Sequence, residues 1–255
     1  SSVRVLYFFL FAISSFFFSK MQNNLNNLKG YNGNVLLKRT NQSIDWTPDL
    51  VQEYVKCSED PIYFIETYMK IINVDAGLVN FKLYDYQKEM IDSMANNRHT
   101  IIATARQIGK STTTCGFILW YIIFHSEKNV AILANKAETA REILGRVQLA
   151  YEHLPKWLQQ GVLEWNKGSF VLENNSRVLA SATSGSAIRG YSINLLFIDE
   201  AAFIENWEEF FTSVFPTISS GKTTKIVLVS TPNGLNHFYK LWTEASSGKN
   251  DYNAI

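Results

Sequence analysis

One strand-turn-helix stretch constrains this chain more than any other feature of its sequence. The β-rich run Thr100–Ala103 leads into a short polar turn that ends in Gly109, Lys110 and Ser111, and an apolar segment of helical character follows. In that order, backbone N–H groups and the positive end of the helix point toward one spot, as phosphate binding requires. The stretch therefore predicts a P-loop, in which Lys110 reaches the β- and γ-phosphates and Ser111 gives its hydroxyl to Mg²⁺.

The match to the common G-x-x-x-x-G-K-[ST] pattern is incomplete. Thr104 stands where the first glycine would fall. A Gly-Lys-Ser tripeptide arises by chance in roughly one chain in ten of this length at average residue usage. The interpretation therefore needs support from the sequence downstream.

Length and composition fit one main α/β domain with appendages. At 255 residues the chain can bury a full core. Its net charge of +1 neither supports nor excludes binding to DNA, because nucleic-acid motors need a local basic lining and not a basic total. Cys57 and Cys115 lie far apart without a histidine cluster. Neither a disulfide framework nor a zinc site is indicated.

The first 46 residues differ from the rest in composition. Val5–Phe18 is apolar apart from two serines and resembles the short core of a signal peptide, and it is short for a bilayer span. Our hypothesis is that Met21 is the natural start and that residues 1–20 are upstream sequence translated in frame, without stable membrane association; a true membrane anchor is the alternative. Residues 21–46 are polar and contain two glycines, which is typical of a flexible arm.

Residues 47–98 are predicted to form a small helical lid or brace in front of a P-loop core at 99–255. Thr47 and Pro48 give a helix start. Farther along, Tyr86 and Gln87 precede the P-loop, a pattern typical of helicase-like ATPases, whose aromatic ring stacks on adenine while the amide meets its edge. The alternative is an ordinary amphipathic helix whose tyrosines pack on the core.

The second strong signal is an acidic pair after a hydrophobic run. Leu195–Ile198 predicts a central parallel strand, and Asp199 and Glu200 follow at its carboxyl end, where open α/β sheets place their ligands. Asp199 can hold Mg²⁺ through water or Ser111, and Glu200 can orient and deprotonate the attacking water.

Two further segments have polar groups at positions that could face a nucleotide. Ser230 and Thr231 end another predicted strand, where hydroxyls can bond a γ-phosphate or its water and relay its loss, although a plain turn is the alternative. Arg189 lies just ahead of the acidic strand. It is either a cation that reads the γ-phosphate, within this chain or on a neighbouring subunit, or a plain surface arginine.

With these parts in order, the sequence resembles the ATPase domain of tailed-bacteriophage terminase large subunits, most closely the myovirus type. The resemblance spans roughly Trp46 to Ile255 and includes the Arg-Gln that precedes Gly-Lys, and this family also lacks the first P-loop glycine. The matching stretches are Ala105–Ser111, Trp165–Ser169, Phe197–Phe203 and Ser230–Tyr239.

The resemblance implies a fold and a role for each matching position. The fold would be a P-loop NTPase of the ASCE or RecA-like class, with a mostly parallel central sheet flanked by helices and a small N-terminal helical lid. ATP and Mg²⁺ would be the cofactors, Ser111 and Asp199 would hold the metal, Glu200 would be the catalytic carboxylate, and Ser230 and Thr231 would couple hydrolysis to movement. The other implied nucleotide contacts are Tyr86, Gln87, Arg106 as an arginine finger in cis, Gln107, Gly109, Lys110 and Thr112.

The resemblance also implies a biological setting. Such a domain would hydrolyse ATP to move double-stranded DNA into a procapsid, as a homo-oligomeric ring that contacts the portal protein and the small terminase subunit. It would work in the host cytoplasm, transiently at the procapsid. Large subunits usually continue into a nuclease domain, whose motifs are absent from this sequence, so no DNA cleavage is expected from it.

Three other functions compete with this interpretation. A helicase-like or repair ATPase would share the sheet but needs a second motor domain. A GTP-binding switch is suggested by Asn135-Lys136-Ala137-Glu138, but this segment precedes Asp199 and ends in Glu instead of Asp. A nucleotide-binding assembly protein without catalysis would not need Glu200.

Overall fold

The computed structural model describes residues 29–184, 188–219 and 221–255. The predictions for residues 1–20 and for 21–28 lie outside these ranges. Within them, no helix combines the length and the apolar character needed to cross a lipid bilayer.

Helices and strands alternate along most of the chain. The helices are α1 (Pro48–Glu59), α2 (Pro61–Tyr68), α3 (Asp85–Asn96), α4 (Lys110–Phe124), α5 (Ala137–Glu152), α6 (Trp207–Ser219) and α7 (His237–Ser246), with a 3₁₀ turn at Ala201–Phe203. The strands are β1 (Lys70–Asn73), β2 (Gly77–Asn80), β3 (His99–Ala103), β4 (Asn129–Ala134), β5 (Val162–Trp165), β6 (Ser169–Leu172), β7 (Arg177–Ala182), β8 (Leu195–Asp199), β9 (Lys225–Ser230) and β10 (Tyr252–Ala254).

The central sheet has eight strands in the order β10-β3-β9-β8-β4-β7-β6-β5. Neighbours from β10 to β7 run parallel, and β6 and β5 add an antiparallel hairpin at one edge. The predicted mostly parallel sheet is confirmed. Because β3, β9, β8 and β4 are adjacent and parallel, their carboxyl ends meet at one edge, where such sheets bind ligands.

Both faces of the sheet are covered, which explains the continuous apolar runs of its strands. Alternate residues of β8 point to opposite faces, so Leu195 and Phe197 join the core beneath α4 and α5, while Leu196 and Ile198 join the core beneath α6 and α7. All four side chains are fully buried. The central strands are therefore rigid supports for whatever follows their carboxyl ends.

The segment 29–46 differs from the predicted flexible arm. Leu37 is 1% exposed and belongs to the main core. The backbone N–H of Lys38 donates to Gln159 Oε1 at 2.8 Å, and that of Asn41 donates to Glu173 Oε1 at 2.8 Å. A polar composition hid this docking because one buried leucine and main-chain hydrogen bonds are enough to anchor the segment.

The helices before the P-loop, predicted as a lid or brace, pack against the core. Cys57 of α1 and Phe64 of α2 are fully buried in the same core as α4. Trp120 Nε1 donates to the Cys57 carbonyl at 3.0 Å, and the ring of Phe64 meets that of Phe124 edge to face. An antiparallel hairpin of β1 and β2, which was not predicted, follows α2.

Replacing Leu37 with alanine tests whether residues 29–46 contribute to the fold. We expect Leu37→Ala to lower the free energy of unfolding by about 2–5 kcal/mol, because it leaves a cavity in the core. Val35→Ala is the matched control, since Val35 is 62% exposed, and it should change the value by less than about 0.5 kcal/mol. Equal urea midpoints for Leu37→Ala and the unsubstituted chain would mean that the segment is not part of the folded body.

Candidate functional site

The carboxyl ends of the central strands surround a cavity of about 570 Å³. This is within the usual size range of small-molecule sites. Of the residues predicted from the sequence, five line it: Arg106, Gln107, Lys110, Glu200 and Thr231. The other lining residues are Ala134, Asn135, Lys136, Thr139 and Phe203.

The turn between β3 and α4 has the backbone shape of an anion-binding loop. Gln107 and Gly109 adopt left-handed conformations, with φ of 60° and 78°, and α4 begins at Lys110. Such a turn directs backbone N–H groups into a concavity at the positive end of a helix. Thr104 Oγ1, in the same turn, is buried without a hydrogen-bond partner.

An ion pair joins this turn to the end of β8. Lys110 Nζ lies 2.8 Å from Glu200 Oε1, and the two side chains are 9% and 32% exposed. Residues ninety positions apart in the sequence therefore meet because β3 and β8 flank β9 in the sheet. A partly buried amine held by a single carboxylate is well placed to exchange that partner for a phosphate.

Glu200 is held in an unusual backbone conformation by several bonds to its carboxylate. Its φ of 49° and ψ of 46° lie in the left-handed region, which costs a non-glycine residue about 1–2 kcal/mol. Oε2 accepts from Thr231 Oγ1 at 3.0 Å, from Thr231 N at 3.2 Å and from Ser230 Oγ at 3.3 Å. Burial acts to raise the pKa of Glu200, but the bonds from Lys110 and Thr231 outweigh it and lower the pKa. The carboxylate is therefore ionised at neutral pH.

Asp199 and Ser111 form a pair of oxygen donors beside the cavity. Ser111 Oγ lies 3.2 Å from Oδ1 and 3.1 Å from Oδ2 of Asp199, which is 5% exposed. Burial, reinforced by the charge of Glu200, raises the pKa of Asp199. A buried carboxylate beside a hydroxyl suits Mg²⁺, which takes one or two protein oxygens together with phosphate oxygens and water. Over the described ranges, no cluster of three or more acidic, histidine or cysteine residues offers an all-protein metal cage.

The remaining predicted residues lie at the rim or beyond it. Arg106 is exposed at the mouth of the cavity, and Thr112 is half-buried in the first turn of α4. Arg189 lines a neighbouring cavity of about 390 Å³ together with Glu205 and Glu209. Asn135 lines both cavities.

Tyr86 and Gln87, predicted to read adenine, bond to main-chain groups near the P-loop turn in this structure. Gln87 is 2% exposed, its Nε2 donates to the carbonyl of Ile108 at 3.1 Å, and its Oε1 accepts from the N–H of Tyr84 at 3.0 Å. Tyr86 donates its hydroxyl to the same Ile108 carbonyl at 2.9 Å and stacks on Tyr84. Both side chains therefore support the P-loop backbone in this conformation. Sequence alone could not reveal this, because their acceptor is a main-chain carbonyl.

Five residues that line the cavity were not predicted as site residues, and one of them, Ala134, is the last residue of β4. Asn135, Lys136 and Thr139 lie at the carboxyl end of β4 and the start of α5, and Phe203 lies in the 3₁₀ turn after Glu200. The position of β4 in the sequence could have indicated the residues that follow it, because the loop after each central parallel strand lies at this edge of the sheet. In the sequence, Asn135 and Lys136 match only part of a guanine-binding motif, which does not indicate that they line this cavity.

Comparison with known proteins gives the family. A family model described as the terminase large subunit, T4-like virus type, N-terminal, matches residues 101–255. The chain belongs to this family. The match begins within β3 and includes the P-loop, the acidic pair and the Ser230–Thr231 segment.

Solved structures of other terminases share the fold of this one. The large terminase of bacteriophage HK97 gives a TM-score of 0.65 at 20% identity over 78% of this chain. The ATPase domain of a Thermus phage large terminase gives 0.56 at 21% identity over 64% of this chain and 70% of that domain. The large terminase of a thermophilic bacteriophage in complex with ADP gives 0.53 at 14% identity over 68% of this chain and 45% of that one. The chain spans 43% of the HK97 terminase, so it corresponds to a part of such proteins.

Substitutions at Tyr86 and Gln87 distinguish support of the P-loop from recognition of adenine. We expect Tyr86→Phe and Gln87→Ala to raise KM for ATP and for GTP in parallel, each about 5- to 10-fold, since each removes one hydrogen bond worth about 1 kcal/mol from the loop. Tyr84→Phe, on the exposed partner ring, should leave both KM values unchanged. A change in the ratio of the ATP and GTP values in steady-state kinetics would instead favour base recognition.

Proposed function

We propose that this chain is the ATP-hydrolysing part of a viral DNA-packaging motor, which uses ATP and Mg²⁺ to move double-stranded DNA into a procapsid. The observation that supports the proposal most strongly is the contact between Lys110 and Glu200 inside one cavity at the carboxyl edge of the sheet. Membership of the terminase family supports the biological setting.

The nucleotide would be held by its phosphates at the turn before α4. The left-handed residues Gln107 and Gly109 open that turn toward the cavity, and Lys110 would move from Glu200 to the γ-phosphate, because a triphosphate offers it more negative charge. Ser111 and Asp199 would hold Mg²⁺, which neutralises charge on the β- and γ-phosphates. Thr112, in the first turn of α4, would lie beside the phosphates at the N-terminal end of that helix.

Glu200 would act on the attacking water. Ser230 and Thr231 hold Oε2, so the loss of Lys110 to the phosphate would free Oε1 to accept a hydrogen bond from the water. The carboxylate would orient the water and take its proton as the γ-phosphate leaves. Arg106, exposed at the mouth of the cavity, would stabilise the charge that spreads over the γ-phosphoryl oxygens.

Movement would begin at the same carboxylate. Because Ser230 and Thr231 share Oε2 of Glu200, a change in that carboxylate on phosphate release alters their hydrogen bonds and thereby the segment that follows β9. Arg189, in the neighbouring cavity, would respond to the nucleotide of this chain or of an adjacent subunit. We propose a homo-oligomeric ring that works with the portal protein and the small terminase subunit in the host cytoplasm.

Two substitutions test the chemical roles. Lys110→Ala should abolish binding or hydrolysis of ATP, because the turn loses its phosphate cation. Glu200→Gln should keep nucleotide affinity but lose turnover by several orders of magnitude, since an amide cannot accept the proton. Phosphate release is measured with and without DNA, and fluorescent ATP titration gives the affinity. A Glu200→Gln variant with undiminished turnover would remove Glu200 from this role.

Removal of the metal tests the assignment of Asp199 and Ser111. Excess EDTA should stop turnover, and Mg²⁺ should restore it, because the charge on the phosphates is otherwise uncompensated. Ser111→Ala should raise the Mg²⁺ concentration needed for half-maximal turnover, whereas Thr113→Ser, in the same helix, should not. A Mg²⁺ dependence unaltered by Ser111→Ala would exclude its hydroxyl as a ligand.

A further inference from the structure

The two peptide carbonyls that follow Glu200 are bonded to a different part of the chain from its carboxylate. The carbonyl of Ala201 accepts from Nε2 of His237 at 2.8 Å, and the carbonyl of Ala202 accepts from Nδ2 of Asn236 at 2.7 Å. The N–H of Ala202 donates to Ser230 Oγ at 3.1 Å. Side chains at the start of α7 thus hold the 3₁₀ turn that leaves the left-handed Glu200.

Asn236 serves two elements at once. Its Oδ1 accepts from the N–H groups of Phe238 and Tyr239 at 3.1 and 3.3 Å, which caps the N-terminus of α7. Its Nδ2 makes the 2.7 Å bond to Ala202. The Asn236 amide therefore connects α7 to the second residue after Glu200, and Asn233 Nδ2 donates to the same Ala202 carbonyl at the longer distance of 3.3 Å.

We propose that Asn236 is a positioning residue for the Glu200 carboxylate, acting through the Ala202 peptide. The inference rests on the proposed function, in which Glu200 handles the attacking water. The left-handed backbone of Glu200 is disfavoured for a residue with a side chain, so it persists only where its surroundings hold it. A displacement of a catalytic group by about 1 Å can cost about 100-fold in rate.

Asn236→Asp separates the two uses of the side chain. Aspartate caps a helix as well as asparagine does, and its charge is favourable at the positive end of the helix. It cannot donate to the Ala202 carbonyl, and its second oxygen would face that carbonyl and repel it. The variant therefore keeps the cap and removes the shorter of the two side-chain amide hydrogen bonds to the Ala202 carbonyl, leaving only the 3.3 Å bond from Asn233 Nδ2.

The chain contains a matched control at the other end of α7. Asn250 Nδ2 donates to the carbonyl of Leu241 at 2.9 Å, and its Oδ1 accepts from the N–H of Tyr252 at 3.0 Å. Both asparagines are half-buried, and each uses its amide in the same two ways. Asn250→Asp makes the same chemical change four residues after the end of α7, away from Glu200.

We expect Asn236→Asp to lower kcat for Mg-ATP about 100-fold while KM and nucleotide affinity change less than about 2-fold. Asn250→Asp should leave kcat within about 2-fold of the unsubstituted chain. Even if its Tm is lower than that of Asn236→Asp, because a carboxylate near a helix C-terminus is unfavourable, its kcat should stay within that range. The double variant Asn236→Asp/Glu200→Gln should be no slower than Glu200→Gln alone, since residues that act as one unit are not additive.

Three outcomes would overturn the inference: an unchanged kcat in Asn236→Asp, an equal loss in Asn250→Asp, or a further loss in the double variant. Should Asn236→Asp not fold, Asn236→Ser gives the same test, because serine caps the helix but is too short to reach Ala202. Glu200→Gln keeps the two claims apart. If Glu200→Gln keeps its turnover, the proposed function is contradicted. If Glu200→Gln loses turnover but Asn236→Asp keeps a normal kcat, only the inference about Asn236 is contradicted.

Discussion

The ion pair between Lys110 and Glu200 is the contact on which the arrangement of the site depends. It joins the start of α4 to the end of β8 across the intervening strand β9, with 2.8 Å between Nζ and Oε1. A pair this poorly exposed leaves an uncompensated charge when one partner is removed, unless another ion takes its place. The geometry therefore favours a ligand that brings its own negative charge to the lysine.

The two ends of this pair are supported unequally. Three bonds to the carboxylate come from Ser230 and Thr231 and do not involve the amine, whereas the amine would need a new partner if it left the carboxylate. In such a site the carboxylate that acts on water is preorganised, whereas the amine that binds phosphate can change its partner. The bonds from α7 to the turn after Glu200 extend the fixed side to a second element.

Much of this architecture could be predicted from the sequence, because its signals are local. The apolar run before Asp199 predicted a central strand, and the Gly109–Ser111 turn predicted the start of a helix, as found. The role of Gln87 could not be predicted, because its partners are a main-chain carbonyl and a main-chain N–H that only the fold brings near. The docking of residues 29–46 was hidden for a similar reason: Val35, Leu36 and Leu37 form one short apolar run in a mostly polar segment, and of these three only Leu37 is buried.

The most direct test of the account is a crystal structure of the chain with Mg²⁺ and ATPγS, in which the distance from Lys110 Nζ to Glu200 Oε1 is measured. We predict that the amine lies on the γ-phosphate, that the pair opens beyond about 4 Å, and that Thr231 still holds Oε2. A nucleotide bound elsewhere, with the pair intact at its present 2.8 Å, would contradict it.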